Sequence, residues 1–175
     1  VPAEAVLVQV TQTSEPAGFV SQTDAIEEGT VHASVSPSLT SNGYVFGYWT
    51  VNDGRMEGSD GRSLTQIAPT ITGTTTFKAH YFQQNADTDS DGIMDWFEYR
   101  VFGDLSQGST DDPDGDGFDN HREDELGQDP LVHDEVEDGG ISSRVSPCAR
   151  NFSPARPKPS SIYLASARSS QSGNP

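Results

Sequence analysis

Gly43-Tyr44-Val45-Phe46-Gly47-Tyr48-Trp49-Thr50-Val51 is the stretch that decides the fold class. It is dense in aromatic and β-branched residues, which suit a pleated, half-buried surface. Asn52-Asp53-Gly54 follows at once and supplies a turn. Outward from it, Ala5–Val10 is an apolar, β-branched run. Thr30–Val35 alternates, with Val31, Ala33 and Val35 on one side. Ile71–Phe82 closes the region, with Phe77, Ala79 and Tyr81 on one face, and Ser59-Asp60-Gly61 supplies another turn. The fold class is therefore mainly β. Residues 1–84 are expected to form a small antiparallel β-sandwich or roll with one face buried.

Residues 85–138 change character. Asp87-Thr88-Asp89-Ser90-Asp91-Gly92-Ile93-Met94-Asp95-Trp96-Phe97-Glu98 is repeated, 25 residues on, by Asp112-Pro113-Asp114-Gly115-Asp116-Gly117-Phe118-Asp119-Asn120-His121-Arg122-Glu123. Laid in register, Asp87, Asp89, Asp91, Gly92 and Glu98 fall on Asp112, Asp114, Asp116, Gly117 and Glu123. Calcium takes six to eight oxygens at roughly 2.3–2.6 Å, and a short loop wraps it with donors at places one, three, five, seven, nine and twelve. The first loop offers Asp87, Asp89, Asp91, the carbonyl of Ile93, Asp95 and a bidentate Glu98. The second offers Asp112, Asp114, Asp116, the carbonyl of Phe118, Asn120 and Glu123. Gly92 and Gly117 mark a sharp turn at a φ that a side chain resists. Ile93 and Phe118 give only a carbonyl, so their side chains are free to pack. At least two Ca²⁺ ions are expected. Magnesium suits the loops less because it demands tight octahedral geometry and keeps its waters. Zinc suits them less again, since Cys and His are missing from the ligand places.

The 175-residue chain carries a net charge of −17, concentrated in this segment, where 19 of its 27 acidic residues fall beside only Arg100 and Arg122. Residues 139–175 hold no Asp or Glu and five Lys or Arg. The acidity thus belongs to the loops and need not imply a basic partner, and nucleic acid is not an expected ligand, because phosphate binding needs a basic face. Cys148 stands alone, so no disulfide forms within the chain, and bound metal is expected to stabilise it instead. Calcium-dependent loops imply an extracellular setting, secreted or at the cell surface. No apolar run approaches the ~20 residues of a membrane span. No signal peptide stands at Val1, so the expectation is a mature product or a piece of a longer secreted protein.

Each loop runs into a short helix signal. Asp95–Phe102 is stopped by Gly103, and Asn120–Leu126 by Gly127 with Pro130 just beyond. An entering helix is missing from both copies, because Phe77–Phe82 reads as strand and Gly103–Thr110 as turn. These are loop–helix halves rather than paired EF-hands, which argues against a sensor that works by changing an interhelical angle.

On these residues the segment at about 86–134 resembles bacterial thrombospondin type 3 repeats. The likeness is carried by Asp-x-Asp-x-Asp-Gly-x-x-Asp/Asn-x-x-Glu followed by Leu126-Gly127-Gln128-Asp129-Pro130. It implies Asp-rich loops wrapped round Ca²⁺ with little other core. Asp129 and Asp134 stand where the resemblance allows contact with a neighbouring ion, outside the ligand set read from the loops. Two departures are Gln128, where the family commonly has Thr, and the longer Gly-Ser connection after Phe102-Gly103-Asp104-Leu105. Dockerin modules are similar in carrying paired loop–helix repeats, but their loops typically end in Asp. The region at about 20–84 resembles bacterial internalin B-type repeat domains, through Gly43-Tyr44-x-Phe46-x-x-Trp49 and Thr76-Phe77-Lys78-Ala79-His80-Tyr81-Phe82. Such domains act as spacers or adhesive modules.

Residues 139–175 are rich in Ser, Pro and Arg and read as a linker or irregular tail, with a short strand signal at Ser161–Ala165 and a glycosylation pattern at Asn151-Phe152-Ser153. His32, His80, His121 and His133 are scattered, and no nucleophile–base pairing is evident, so no enzyme is expected. The expected function is calcium ion binding in a structural or spacer module of a secreted or surface bacterial protein. Neighbouring domains or subunits of the same protein are its expected partners. The alternatives are an adhesin or carbohydrate-binding module, with a glycan partner met by Trp49 and nearby tyrosines, and a self-assembling extracellular fibre or surface-layer subunit.

Overall fold

The computed structural model describes residues 4–133, together with the backbone of 136–137 and 140–141. The signals at Asn151 and Ser161–Ala165 lie outside the described residues. The chain is mainly β, as its sequence indicates. Six strands form one curled sheet: β1 (Leu7–Glu15), β2 (Ser21–Glu27), β3 (Thr40–Ser41), β4 (Tyr44–Val51), β5 (Gly54–Met56) and β6 (Thr75–Gln83). The sheet order is β2-β1-β6-β4-β3, with β5 paired to β4. All pairs are antiparallel except β1 with β6, which run parallel from Val10–Thr75 to Glu15–His80. Helices α1 (Asp95–Val101) and α2 (Asn120–Leu126) follow, and then a two-residue pairing of β7 (Val136–Glu137) with β8 (Gly140–Ile141).

Val10, Phe46, Trp49, Ile67, Ile71, Phe77, Ala79 and Tyr81 make the core on one face of the sheet. Phe46 and Trp49 are three apart and would face opposite sides of a regular strand. A bulge between Phe46 and Tyr48 inserts Gly47 into β4 and re-phases it, so that Phe46 lies opposite Tyr81 and Trp49 opposite Ala79, all facing the core. Tyr48 and Thr50 then face the other way. Trp49 is fully buried, with its indole N–H donated to the Thr65 carbonyl at 3.2 Å, so its ring offers no face to a sugar.

Two sequence expectations shift. Strand β1 runs on to Glu15, past the Val10 at which its apolar run ends. Gln12 and Ser14 occupy its inward face and are buried because each has tertiary partners. Gln12 accepts from the Val35 N–H at 2.8 Å, and the Ser14 hydroxyl accepts from the N–H groups of Phe19 and Val20 at 3.0 and 3.1 Å. Thr30–Val35 is extended but holds only one isolated bridge, Val31 with Thr70. Its inward side is His32 and Ser34, while Val31 and Ala33 are exposed. Ser34 sets this phase: its N–H donates to the Ile67 carbonyl at 2.7 Å and its hydroxyl accepts from the Ile67 N–H at 3.2 Å.

The Asn52-Asp53 turn holds both residues at positive φ, 48° and 67°, the geometry of a tight hairpin. Gly47 has a second role. A Cβ there would stand 2.4 Å from the ring of Phe82, which stacks on Tyr99 of α1 with centroids 4.8 Å apart. Gly47→Ala is expected to displace this ring pair and cost roughly 1–3 kcal/mol as an overpacking change. Urea denaturation of the variant, set beside that of the parent, measures it.

Candidate metal loops

The two Asp-rich segments adopt the same backbone. Asp87 accepts from the N–H groups of Asp91 and Gly92, both at 3.1 Å; Asp112 accepts from those of Asp116 and Gly117 at 3.2 and 2.9 Å. The Ile93 N–H donates to Asp91 at 2.8 Å, and the Phe118 N–H donates to Asp116 at 2.8 Å. The Asp95 N–H reaches the Ala86 carbonyl at 2.9 Å, and the Asn120 N–H reaches that of Asp111 at 2.8 Å. Every partner is shifted by the repeat length. Gly92 and Gly117 have φ of 96° and 94°, as their places require, and Ser90 and Gly115 are left-handed as well, at 64° and 76°. Ile93 packs its side chain inward and is 5% exposed.

In the first loop four aspartates face the residue at the last place. Glu98 is fully buried, and neither of its carboxylate oxygens has a hydrogen-bond partner among the described residues. Burial, and then the charges of Asp89, Asp91, Asp95 and Asp87, push its carboxyl from 4.5 up to about 8. A buried carboxylate is costly unless it is paired or coordinates a metal. Asp91 likewise keeps one buried oxygen without a partner. A cation among Asp87, Asp89, Asp91 and Glu98 would satisfy these oxygens together, and the first three already bring carboxylate oxygens within 4.8 Å of one another. Glu123 and Asn120, the corresponding residues of the second loop, are also fully buried. Asp114 is raised by burial first and then by Asp116. At Asp112 the backbone N–H groups of Gly117 and Gly115 outweigh desolvation, so its carboxyl is held low.

Place nine differs between the copies. Asp95 turns one oxygen on the Thr88 N–H and the other on the Thr88 hydroxyl, both at 2.7 Å. It braces the loop, with lone pairs left for a water or an ion. Asn120 donates its amide to the Gly108 carbonyl at 2.8 Å and keeps a buried oxygen without a hydrogen-bond partner. Asp119, which adds a further carboxylate to the second loop, is instead the N-cap of α2, accepting from the Arg122 N–H at 2.8 Å. Asp119→Ala is expected to cost roughly 1 kcal/mol of stability and leave metal stoichiometry unchanged. Thermal melting beside a metal titration separates the two roles.

The helices end where the glycines indicate. Gly127 is left-handed, with φ 68°, and Gly103 follows the C-cap of α1 with φ 96°. Arg55 of β5 then ties α1 to the sheet. Its guanidinium donates to the carbonyl of Tyr99, to that of Gly103 at 3.2 Å and to the Ser63 hydroxyl at 2.7 Å, and it lies 4.5 Å above the Tyr48 ring. This is cationic capping of carbonyls left open at a helix C-terminus. Asp129 is buried against Arg62, which gives it a structural partner. Asp134 lies outside the described residues. The sequence did not signal Arg55, because its partners Tyr99 and Gly103 lie far along the chain; Thr88 and Asp119 stand inside the loops but at places that the ligand spacing does not assign.

No helix among the described residues is long and apolar enough to cross a membrane. Comparison with protein-family models, with curated proteins and with solved structures found no match.

Proposed function

We propose that this chain is a calcium-binding structural module of a secreted or cell-surface bacterial protein. Each Asp-rich loop holds one Ca²⁺ and so fixes its helix against what precedes it. The observation that supports this reading most is Glu98. A fully buried carboxylate with two unpartnered oxygens, faced by four aspartates, is stable as an anion only if a cation neutralises it. The donors at the remaining ligand places are all oxygens, the chemistry of a hard cation that tolerates irregular geometry. Arg55 and the Phe82–Tyr99 stack give the ordered loop a rigid neighbour. The role is therefore mechanical: calcium sets the geometry between the β-sheet and whatever the second loop adjoins.

Calorimetric titration of chelator-stripped protein with CaCl₂, then with MgCl₂, tests the proposal. Two or more calcium sites with little response to magnesium are expected. At a free ion concentration of 100 times the dissociation constant, one site adds roughly 2.7 kcal/mol of stability. Absence of calcium binding would reduce the loops to solvated acidic linker and sink the reading.

A further inference from the structure

We infer that the second loop is a mixed oxygen–nitrogen metal site, to which His133 brings an imidazole, whereas the first is an oxygen-only site. The inference rests on the metal reading of the loops and divides the two sites by chemistry. Donors to one ion lie no further apart than twice the bond length, roughly 4.6–5.2 Å for calcium. A ring nitrogen of His133 and carboxylate oxygens of Asp114 and Asp116 all fall within 4.8 Å of one another. Asn120 adds an independent sign of a missing ligand. It is fully buried, its amide nitrogen is engaged by Gly108, and its oxygen is left without a hydrogen-bond partner at place nine of the same loop.

The repeat explains why only one loop has the imidazole. After α1 the chain returns to the first loop at Gly108, where a Cβ would stand 3.6 Å from an Asp91 oxygen. Adding the 25-residue repeat to Gly108 and Asp91 gives His133 and Asp116, two members of the second group. The same return after α2, through the turn in which the Val132 N–H meets the Asp129 carbonyl at 2.9 Å, thus brings a side chain where the first copy has none. Imidazole favours transition ions over calcium, and carboxylates with an amide oxygen suit Mn²⁺, so the second site accepts Mn²⁺-class ions more readily than the first.

The test uses the full chain, stripped with chelator and loaded with MnCl₂ at about pH 7.5. Pulsed electron paramagnetic resonance reads nitrogen coupled directly to the manganese. One of the two bound ions is expected to show histidine nitrogen coupling. His133→Ala removes it and weakens Mn²⁺ at that site roughly tenfold. His121→Ala, which changes the other histidine near this loop, keeps the coupling. Manganese bound at both loops without nitrogen coupling, or with coupling that persists in His133→Ala, overturns the inference and leaves the calcium reading standing. Failure of both loops to take up Ca²⁺ or Mn²⁺ overturns the two together.

Discussion

Glu98→Gln is expected to weaken calcium binding at the first loop strongly and, in chelator, to make the protein more stable above neutral pH. Both effects come from one carboxyl. In the metal-free fold it is raised from 4.5 to about 8, by burial first and then by Asp89, Asp91, Asp95 and Asp87. Between those values the folded state holds a proton that the unfolded chain releases. Its contribution to stability is therefore complete below pH 4.5 and is lost as the pH climbs through about 8. Glutamine is neutral throughout, so the variant loses this pH dependence. Calcium reverses the preference, because ion and proton compete for the same oxygens and wild-type affinity rises with pH. Losing a bidentate anionic ligand should weaken the site roughly 100-fold, about 2.8 kcal/mol. Thermal unfolding in chelator at about pH 5.5 and 8.5, beside calcium titration at both, measures the two signs. Equal calcium affinity in variant and wild type would remove Glu98 from the ligand set.

Arg55→Ala should cost roughly 2–4 kcal/mol, well above an ordinary surface charge change. The guanidinium donates to the carbonyls of Tyr99 and Gly103 and to the Ser63 hydroxyl, and packs on Tyr48. Removing it takes the donor from the Gly103 carbonyl and leaves that of Tyr99 only the Ser63 hydroxyl at 3.2 Å, as well as losing the contacts themselves. A second consequence concerns coupling. Helix α1 starts inside the first metal loop and ends on Arg55, so ordering of that loop reaches the sheet along it. In a Trp96→Phe background the buried Trp49 reports sheet unfolding alone. Calcium should raise its midpoint in the parent and raise it much less in Arg55→Ala. Arg55→Lys keeps the charge without the planar fork, so an intermediate result is expected. An undiminished calcium shift in Arg55→Ala would show that the sheet senses the loop by another route.

The repeat was legible because each of its places has a local cause. Gly92 and Gly117 take the φ their places require, Gly103 and Gly127 end the helices, and Ile93 packs inward. Strand β4 was legible from its composition, but its phase was not. Only the bulge at Gly47 puts Phe46 and Trp49 on one side, and that bulge is fixed by pairing with β6. Gln12, Ser14 and Ser34 look like solvent residues in sequence and are buried, because backbone N–H groups satisfy them: Gln12 and Ser34 from far along the chain, Ser14 from the turn that follows β1. Alternation groups Val31, Ala33 and Val35, yet Val31 and Ala33 are exposed while Val35 packs against the core.

What the sequence determined by itself is whatever a window of about a dozen residues dictates: the mainly β composition, the turn at Asn52-Asp53, the two superimposable loops and their helix stops. Side-chain type and local φ suffice for these. Tertiary structure alone decided the parallel pairing of β1 with β6, the burial of polar residues, the seating of α1 on Arg55 and Phe82, and the approach of His133 to Asp114 and Asp116. Each of these depends on where two distant segments meet, and the energy that fixes the meeting is shared between residues that no local pattern links.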